Sequence, residues 1–253
     1  MPARAHLEQS FAILHKVHGT ENHPDVATSL YTLTRVLLAQ GDLAGAHARL
    51  ERSLAIQHKV HGTEVHPDVA ASLHTLASVL RAQGDFAGAR ARLECSLAIW
   101  HKVHGTEDHP DVAASLQTLA CVLGNQGDLV GARALLERSL AIWHKVHGTE
   151  DHPDVATIYD GLGTCLRDLG LFDESERAFR TAQRIREKVF GTRDHYMYAE
   201  TEFTLAMLVA QRGRVDEARK LHQHAVAVLQ AQVPNHPILA KLRAAATQQA
   251  PSE

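Results

Sequence analysis

The sequence lacks the motifs of a reactive pocket: it holds no GxSxG, no HExxH and no Walker pattern. That removes the common nucleophile, zinc-hydrolase and phosphate-loop sites. It also lacks a run of basic residues, and Lys+Arg 26 against Asp+Glu 29 leaves a net charge of -3. Nucleic acid is therefore not an expected partner. No stretch of about 18 apolar residues could span a bilayer, and no basic region followed by an apolar core marks a signal peptide. The expected address is cytoplasmic, with no membrane partner. Cysteine is scarce. Cys95, Cys121 and Cys165 are odd in number, far apart and without CxxC spacing, which suits a reducing compartment and buried thiols filling small core positions.

What is present is repetition. His23-Pro24-Asp25-Val26 recurs at His66-Pro67-Asp68-Val69, His109-Pro110-Asp111-Val112 and His152-Pro153-Asp154-Val155, always 43 residues on. The motif decays at His195-Tyr196-Met197 and echoes once more at His236-Pro237. Leu93 to Ala113 and Leu136 to Ala156 differ only where Cys95 faces Arg138, which implies recent duplication. Within one unit, Val69, Leu73, Leu76, Ala77 and Leu80 form the stripe of an amphipathic helix, and Phe86, Ala89, Leu93, Leu97, Trp100 and Val103 form a second. Gly84 can end the first helix in the left-handed conformation and Asp85 can cap the next. Gly62 ends a helix at the other junction, with Pro67 and Asp68 in the first turn that follows. Each unit is thus a helix pair.

The spacing predicts one array over residues 1–248. It comprises a half repeat at 4–19, repeats at 23–62, 66–105, 109–148, 152–191 and 195–232, a C-terminal helix at 237–247, and a disordered tail at 249–253. The array opens in mid-repeat, so the half repeat leaves a sticky face open to self-association, or the chain is a fragment of a longer array. Trp100 and Trp143 fall on the second-helix stripe as core residues. Gly161-Leu162-Gly163 is read as a loosened helix in a divergent repeat, since no dinucleotide loop surrounds it.

The period of 43 exceeds the 34 residues of a standard tetratricopeptide repeat, yet the order Leu76-Ala77, Leu80, Gly84, Phe86, Ala89, Leu93 matches that signature. The string LERSLAIWHKVHGTEDHPDVAASLQTLACVLGNQGDLVGA resembles the long tetratricopeptide repeats of kinesin light chain. The resemblance implies an all-α, right-handed superhelical solenoid of antiparallel helix pairs, without catalysis, that binds a peptide or helix of a partner protein in a concave groove. Family geometry then places Tyr31, Thr32, Arg35, His74, Thr75, Ser78, Arg81, Gln117, Thr118, Asn125, Asp160 and Arg167 as partner-binding residues, with no cofactor. Kinesin light chain carries paired asparagines at the positions held here by Tyr31-Thr32, His74-Thr75, Gln117-Thr118, Asp160-Gly161 and Phe203-Thr204. None is Asn-Asn, so its cargo peptides are not implied.

Two alternatives of other classes follow from the same residues. The pattern His-x2-His-x4-His at 15/18/23, 58/61/66, 101/104/109 and 144/147/152 could gather three imidazoles around zinc or nickel. Against this, His58 and His61 suit the last turn of a helix, and repetition multiplies one structural choice; no metal ligand is assigned. The other alternative is a regulatory repeat module of a larger signalling enzyme.

Overall fold

The computed structural model describes residues 13, 16–20 and 22–248. Every regular element among them is a helix, with no strand, and no helix is long and apolar enough to cross a membrane. Most of the half repeat at 4–19 and the tail at 249–253 lie outside the described residues. The chain forms two compact units, Met1–Ile142 and Trp143–Glu253.

In the first unit α1 (Pro24–Ala39) pairs with α2 (Leu43–His61), and α3 (Pro67–Gln83) pairs with α4 (Phe86–His104). The next helices are α5 (Pro110–Gln126) and α6 (Leu129–His147), the latter belonging to this unit up to Ile142. α2 packs on α3 and α4 on α5, so each hairpin closes the apolar face of its neighbour. Val26, Ala27, Leu30 and Ile56 form one such core, with Val60 against it. Each large aliphatic chain buried this way is worth about 1.5–3 kcal/mol.

The helix ends follow from the sequence. Gly84 has φ +86° and Gly62 φ +63°, the left-handed geometry that costs a Cβ-bearing residue. Asp42, Asp85 and Asp128 each cap a second helix by accepting the N–H of Gly45, Gly88 or Gly131 at 2.9 Å. A Cβ on Gly88 would stand 2.3 Å from the Asp85 carboxylate, so this glycine is needed for close approach. The first helices are capped by histidine: Nδ1 of His23, His66 and His109 accepts the N–H of the following Asp25, Asp68 and Asp111 at 3.2 Å. Inside each pair a fully buried serine ties second helix to first, as Ser53 donates to Ala27 O, Ser96 to Ala70 O and Ser139 to Ala113 O, at 2.8–2.9 Å.

The second unit contains the end of α6 and α7 (Pro153–Asp168), α8 (Phe172–Phe190), α9 (Tyr196–Gln211), α10 (Val215–Gln232) and α11 (Pro237–Gln248). α7 pairs with α8, α9 with α10, and α8 packs on α9. Here the aspartate cap is gone, since Leu171 and Arg214 precede α8 and α10 and make no side-chain cap bond. The Gly161-Leu162-Gly163 segment is continuous helix rather than a loosened one. Gly163 takes the place of Ala120 because Phe179 replaces Leu136: a Cβ there would lie 2.8 Å from the Phe179 ring.

Cys165 is buried, but Cys95 and Cys121 are exposed, which corrects the expectation of three core thiols. Both stand where other copies place polar side chains, Arg138 for Cys95 and Ser78 or Thr164 for Cys121.

Candidate functional site

In the first unit the sequence-selected residues lie along α1, α3 and α5, and several are bonded from one first helix to the next. Thr75 donates to Ala71 O at 2.9 Å, which leaves its oxygen to accept from the Tyr31 hydroxyl at 3.1 Å. His74 meets Ser115 Oγ through Nδ1 at 3.2 Å and Thr118 Oγ1 through Nε2 at 3.4 Å. Thr118 donates to Ala114 O, so it accepts from an Nε2–H, and the neutral ring takes its Nδ1 bond from Ser115. Burial lowers the His74 pKa, and the nearby Asp111 carboxylate offsets part of that. Thr32 and Ser78 donate to their own helix, at Thr28 O and His74 O. Gln117 is half-buried, while Arg35, Arg81 and Asn125 are exposed. The four last-named supply donors and acceptors to anything lying along this face.

The second unit holds Asp160 and Arg167, and the structure binds both internally. Arg167 donates to Asp168 at 2.9 Å. Asp160 Oδ2 lies 2.6 Å from Nη1 of Arg186, whose side chain is 3% exposed. The same nitrogen donates to Met197 O at 2.9 Å and to Thr201 Oγ1, and Thr201 in turn donates to Asp160 Oδ1 at 2.9 Å. Burial pushes the Asp160 carboxyl up to about 6, with Arg186 and Thr201 pulling the other way.

The histidine pattern assembles differently from the one read in the sequence. His61 joins His66, but the third member is Asp68 rather than His58, and the set recurs as His18, His23, Asp25; His104, His109, Asp111; and His147, His152, Asp154. The two rings stack at 3.3–3.5 Å. His104 Nε2 lies 3.1 Å from Asp111 Oδ2. Parallel rings that far apart aim their lone pairs in separate planes, and the second ring's Nδ1 already accepts the cap N–H. As arranged, the trio is a clamp between consecutive hairpins. Where Met197 replaces the aspartate, Phe190 replaces the first histidine and stacks on His195 at 3.7 Å: the charged partner and its imidazole leave together.

Sequence reading missed Arg186 and a cavity of about 100 Å³ lined by Thr28, Tyr31, Gln57, Asp68, Ala71 and Ser72. The available signal was Gln57, standing where Trp100 and Trp143 recur.

A family profile described as "Tetratricopeptide repeat" matches residues 3–59, 68–145, 122–188 and 154–231. No curated protein matches the chain. Among solved structures, a Podosopora anserina protein of kinesin light chain type with nearly identical TPR-like repeats is 26% identical, with a TM-score of 0.65 over 83% of this chain and 99% of that one. BtubC (BKLC) from P. vanneervenii is 18% identical, with a TM-score of 0.71 over 93% of this chain and 92% of that one. A Rap protein complexed with competence and sporulation factor is 18% identical, with a TM-score of 0.69 over 80% of this chain and 53% of that one.

Proposed function

The chain belongs to the tetratricopeptide repeat family, with repeats of kinesin light chain type, and from that premise we propose that it is a non-catalytic scaffold holding a peptide or helix of a partner protein along its first-helix face. The resemblance carried by the HPDVA and SLAI strings is borne out. The observation that carries the functional reading is where the copies differ. The segment HKVHGTE-x-HPDVA that joins one hairpin to the next is nearly invariant between neighbouring copies, whereas equivalent first-helix places hold Tyr31, His74 and Gln117. Packing demands explain the invariant part. The variable part is polar, sits opposite the apolar stripe, and offers side chains that can bond an extended backbone. A preformed wall of this kind loses little conformational freedom on binding.

The partner is a protein or peptide rather than nucleic acid or membrane, in keeping with the net charge of -3, and the working compartment is cytoplasmic. The Rap structure, complexed with competence and sporulation factor, supplies a precedent for ligand binding on this fold. Arg35, Arg81, Gln117 and Asn125 are the residues to change together, because none of them makes the helix-to-helix bonds described for His74 and Tyr31. Affinity capture with the fourfold alanine variant is expected to lose the partners that the wild type retains. Recovery of the same set at the same yield would remove this face from consideration.

A further inference from the structure

Steps of 43 residues bring Gln57, Trp100, Trp143 and Arg186 to one position of the repeat. At Gln57 and Arg186 the side chain enters the wedge between a hairpin and the first helix of the next. Trp100 and Trp143 are buried, at 6% and 7% exposure. Arg186 fills the same position in the second unit, its guanidinium held by Asp160, Met197 O and Thr201. Gln57 is shorter than either. Around it the cavity of about 100 Å³ remains, room for roughly three waters or one planar guanidinium.

Three residues lining that cavity stand at the positions of the three partners of Arg186. Ser72 stands where Thr201 accepts the guanidinium, Tyr31 where Asp160 does, and Asp68 where Met197 lends its carbonyl. Two polar atoms in this wedge are buried and without hydrogen-bond partners, Gln57 Oε1 and Ser72 Oγ, although each would normally be satisfied. The carboxylate that Asp160 provides in the second unit is here supplied from the rim by Asp68. Its Oδ2 lies 3.4 Å from His61 Nε2 and 3.6 Å from His66 Nδ1, and its side chain is 59% exposed, so it remains open to a further donor.

We infer that the cavity beside Gln57 receives a guanidinium from outside, the arginine side chain of a protein partner. The chemistry is that of the molecule's own fourth hairpin with the arginine delivered by another chain. Gln57 Oε1, Ser72 Oγ and the Asp68 carboxylate are acceptors suited to a planar fork of donors, whereas a compact, strongly hydrated ammonium suits such a slot poorly. The scaffold reading above enters only in naming a protein as the source of the arginine.

The test titrates the full chain with N-acetyl-arginine amide and follows the backbone resonances of Tyr31 and Ala71. Saturable shifts are expected in the millimolar range, in keeping with a fragment of about fifteen heavy atoms. The neutral citrulline analogue should bind about 10-fold more weakly, having lost its charge. Gln57→Trp, which installs the residue of the next two repeats, should abolish the shifts while preserving the fold. Gln57→Leu keeps the volume but removes the acceptor, and should weaken them if the tryptophan variant fails to fold. Absence of saturable shifts with arginine, or shifts that survive Gln57→Trp, would overturn the site. Partner capture is read separately. Gln117→Ala tests the first-helix face without touching this cavity, so that reading and this one fail independently. Arginine binding combined with partner capture indifferent to Gln57→Trp would overturn the assignment to a partner.

Discussion

The two units use the same helix pairs but secure them by different chemistry. In Met1–Ile142 neighbouring copies are nearly interchangeable, and side-chain-to-backbone bonds recur in register: a histidine cap, an aspartate cap, and a buried serine to an alanine carbonyl. In Trp143–Glu253 the copies have drifted, the serine at the equivalent of Ser139 is Ala182, and ion pairs take over. Glu176, 12% exposed, gathers Arg180, Arg212 and Arg214 at 2.7–2.8 Å. Burial alone would raise its pKa, yet the hydrogen bonds from Arg214 and Arg180 hold it at about 2. Duplication supplies one solution several times over. Drift then loses the aspartate caps and adds ion pairs between side chains while the backbone geometry persists.

The contrast is sharpest at Asp160. Asp160→Ala would strand the buried Arg186 guanidinium and should cost about 3–5 kcal/mol. Tyr31→Phe, at the equivalent place in the first unit, loses one neutral hydrogen bond and should cost about 0.5–1.5 kcal/mol. Denaturant unfolding of the two variants checks this. Equal costs would mean that the charged and neutral solutions are energetically the same.

Glycine substitutions should split in sign. Gly163→Ala drives a methyl group into the Phe179 ring and is expected to destabilise by about 1–3 kcal/mol, as overpacked cores do. Gly124→Ala on α5 meets nothing within 4 Å and should stabilise by about 0.5–1 kcal/mol through helix propensity. Thermal melts report both.

Acidification should move the units in opposite directions at two sites. His74 has a lowered pKa in the fold; the stability it contributes is present above the unfolded value near 6.5 and is lost as pH falls through the folded value. Asp160 is raised to about 6; its contribution is present below the unfolded value of 3.8 and is lost as pH rises through about 6. Going from pH 7 to pH 5, hydrogen exchange should therefore quicken around α3 and slow around α7. His74→Gln, which copies Gln117 of the next repeat, should flatten the first response. An unchanged acid loss in that variant would assign it to other histidines. Glu176 holds its network across this range, since its contribution is lost only as pH falls from about 4.5 toward about 2.

The smallest effect is expected at the exposed Arg90–Glu94 pair on α4, 2.8 Å apart with both side chains about half exposed. Arg90→Ala should cost under about 0.5 kcal/mol. A loss comparable to that of Asp160→Ala would break the distinction between surface and buried ion pairs on which the comparison rests.

Much of this was legible in the linear chain. Hairpins, their breaks at Gly62 and Gly84, and the Asp85 cap follow from spacing and local chemistry, because each depends on residues within one turn of one another. The use of His66 as a cap was not legible, since its Nδ1 must be aimed by the extended backbone at that residue. Nor was the third member of the histidine trio: sequence distance favoured His58, three residues from His61, but hairpin packing brings Asp68 to it from the next helix. Tyr31, His74 and Asp160 were selected as surface groups. They prove to be bonded between helices, a relation that spans 41 to 44 residues and leaves no local trace.

The sequence by itself determined the helices, the 43-residue period and the family, because these arise from periodicity and turn chemistry that act over short range. Only the tertiary structure decided which polar side chains are spent on packing and which remain open. It also decided that one position could hold glutamine, tryptophan or arginine with such different results. Those outcomes depend on the volume and charge that neighbouring hairpins bring to a shared wedge, quantities that exist only once the hairpins have packed.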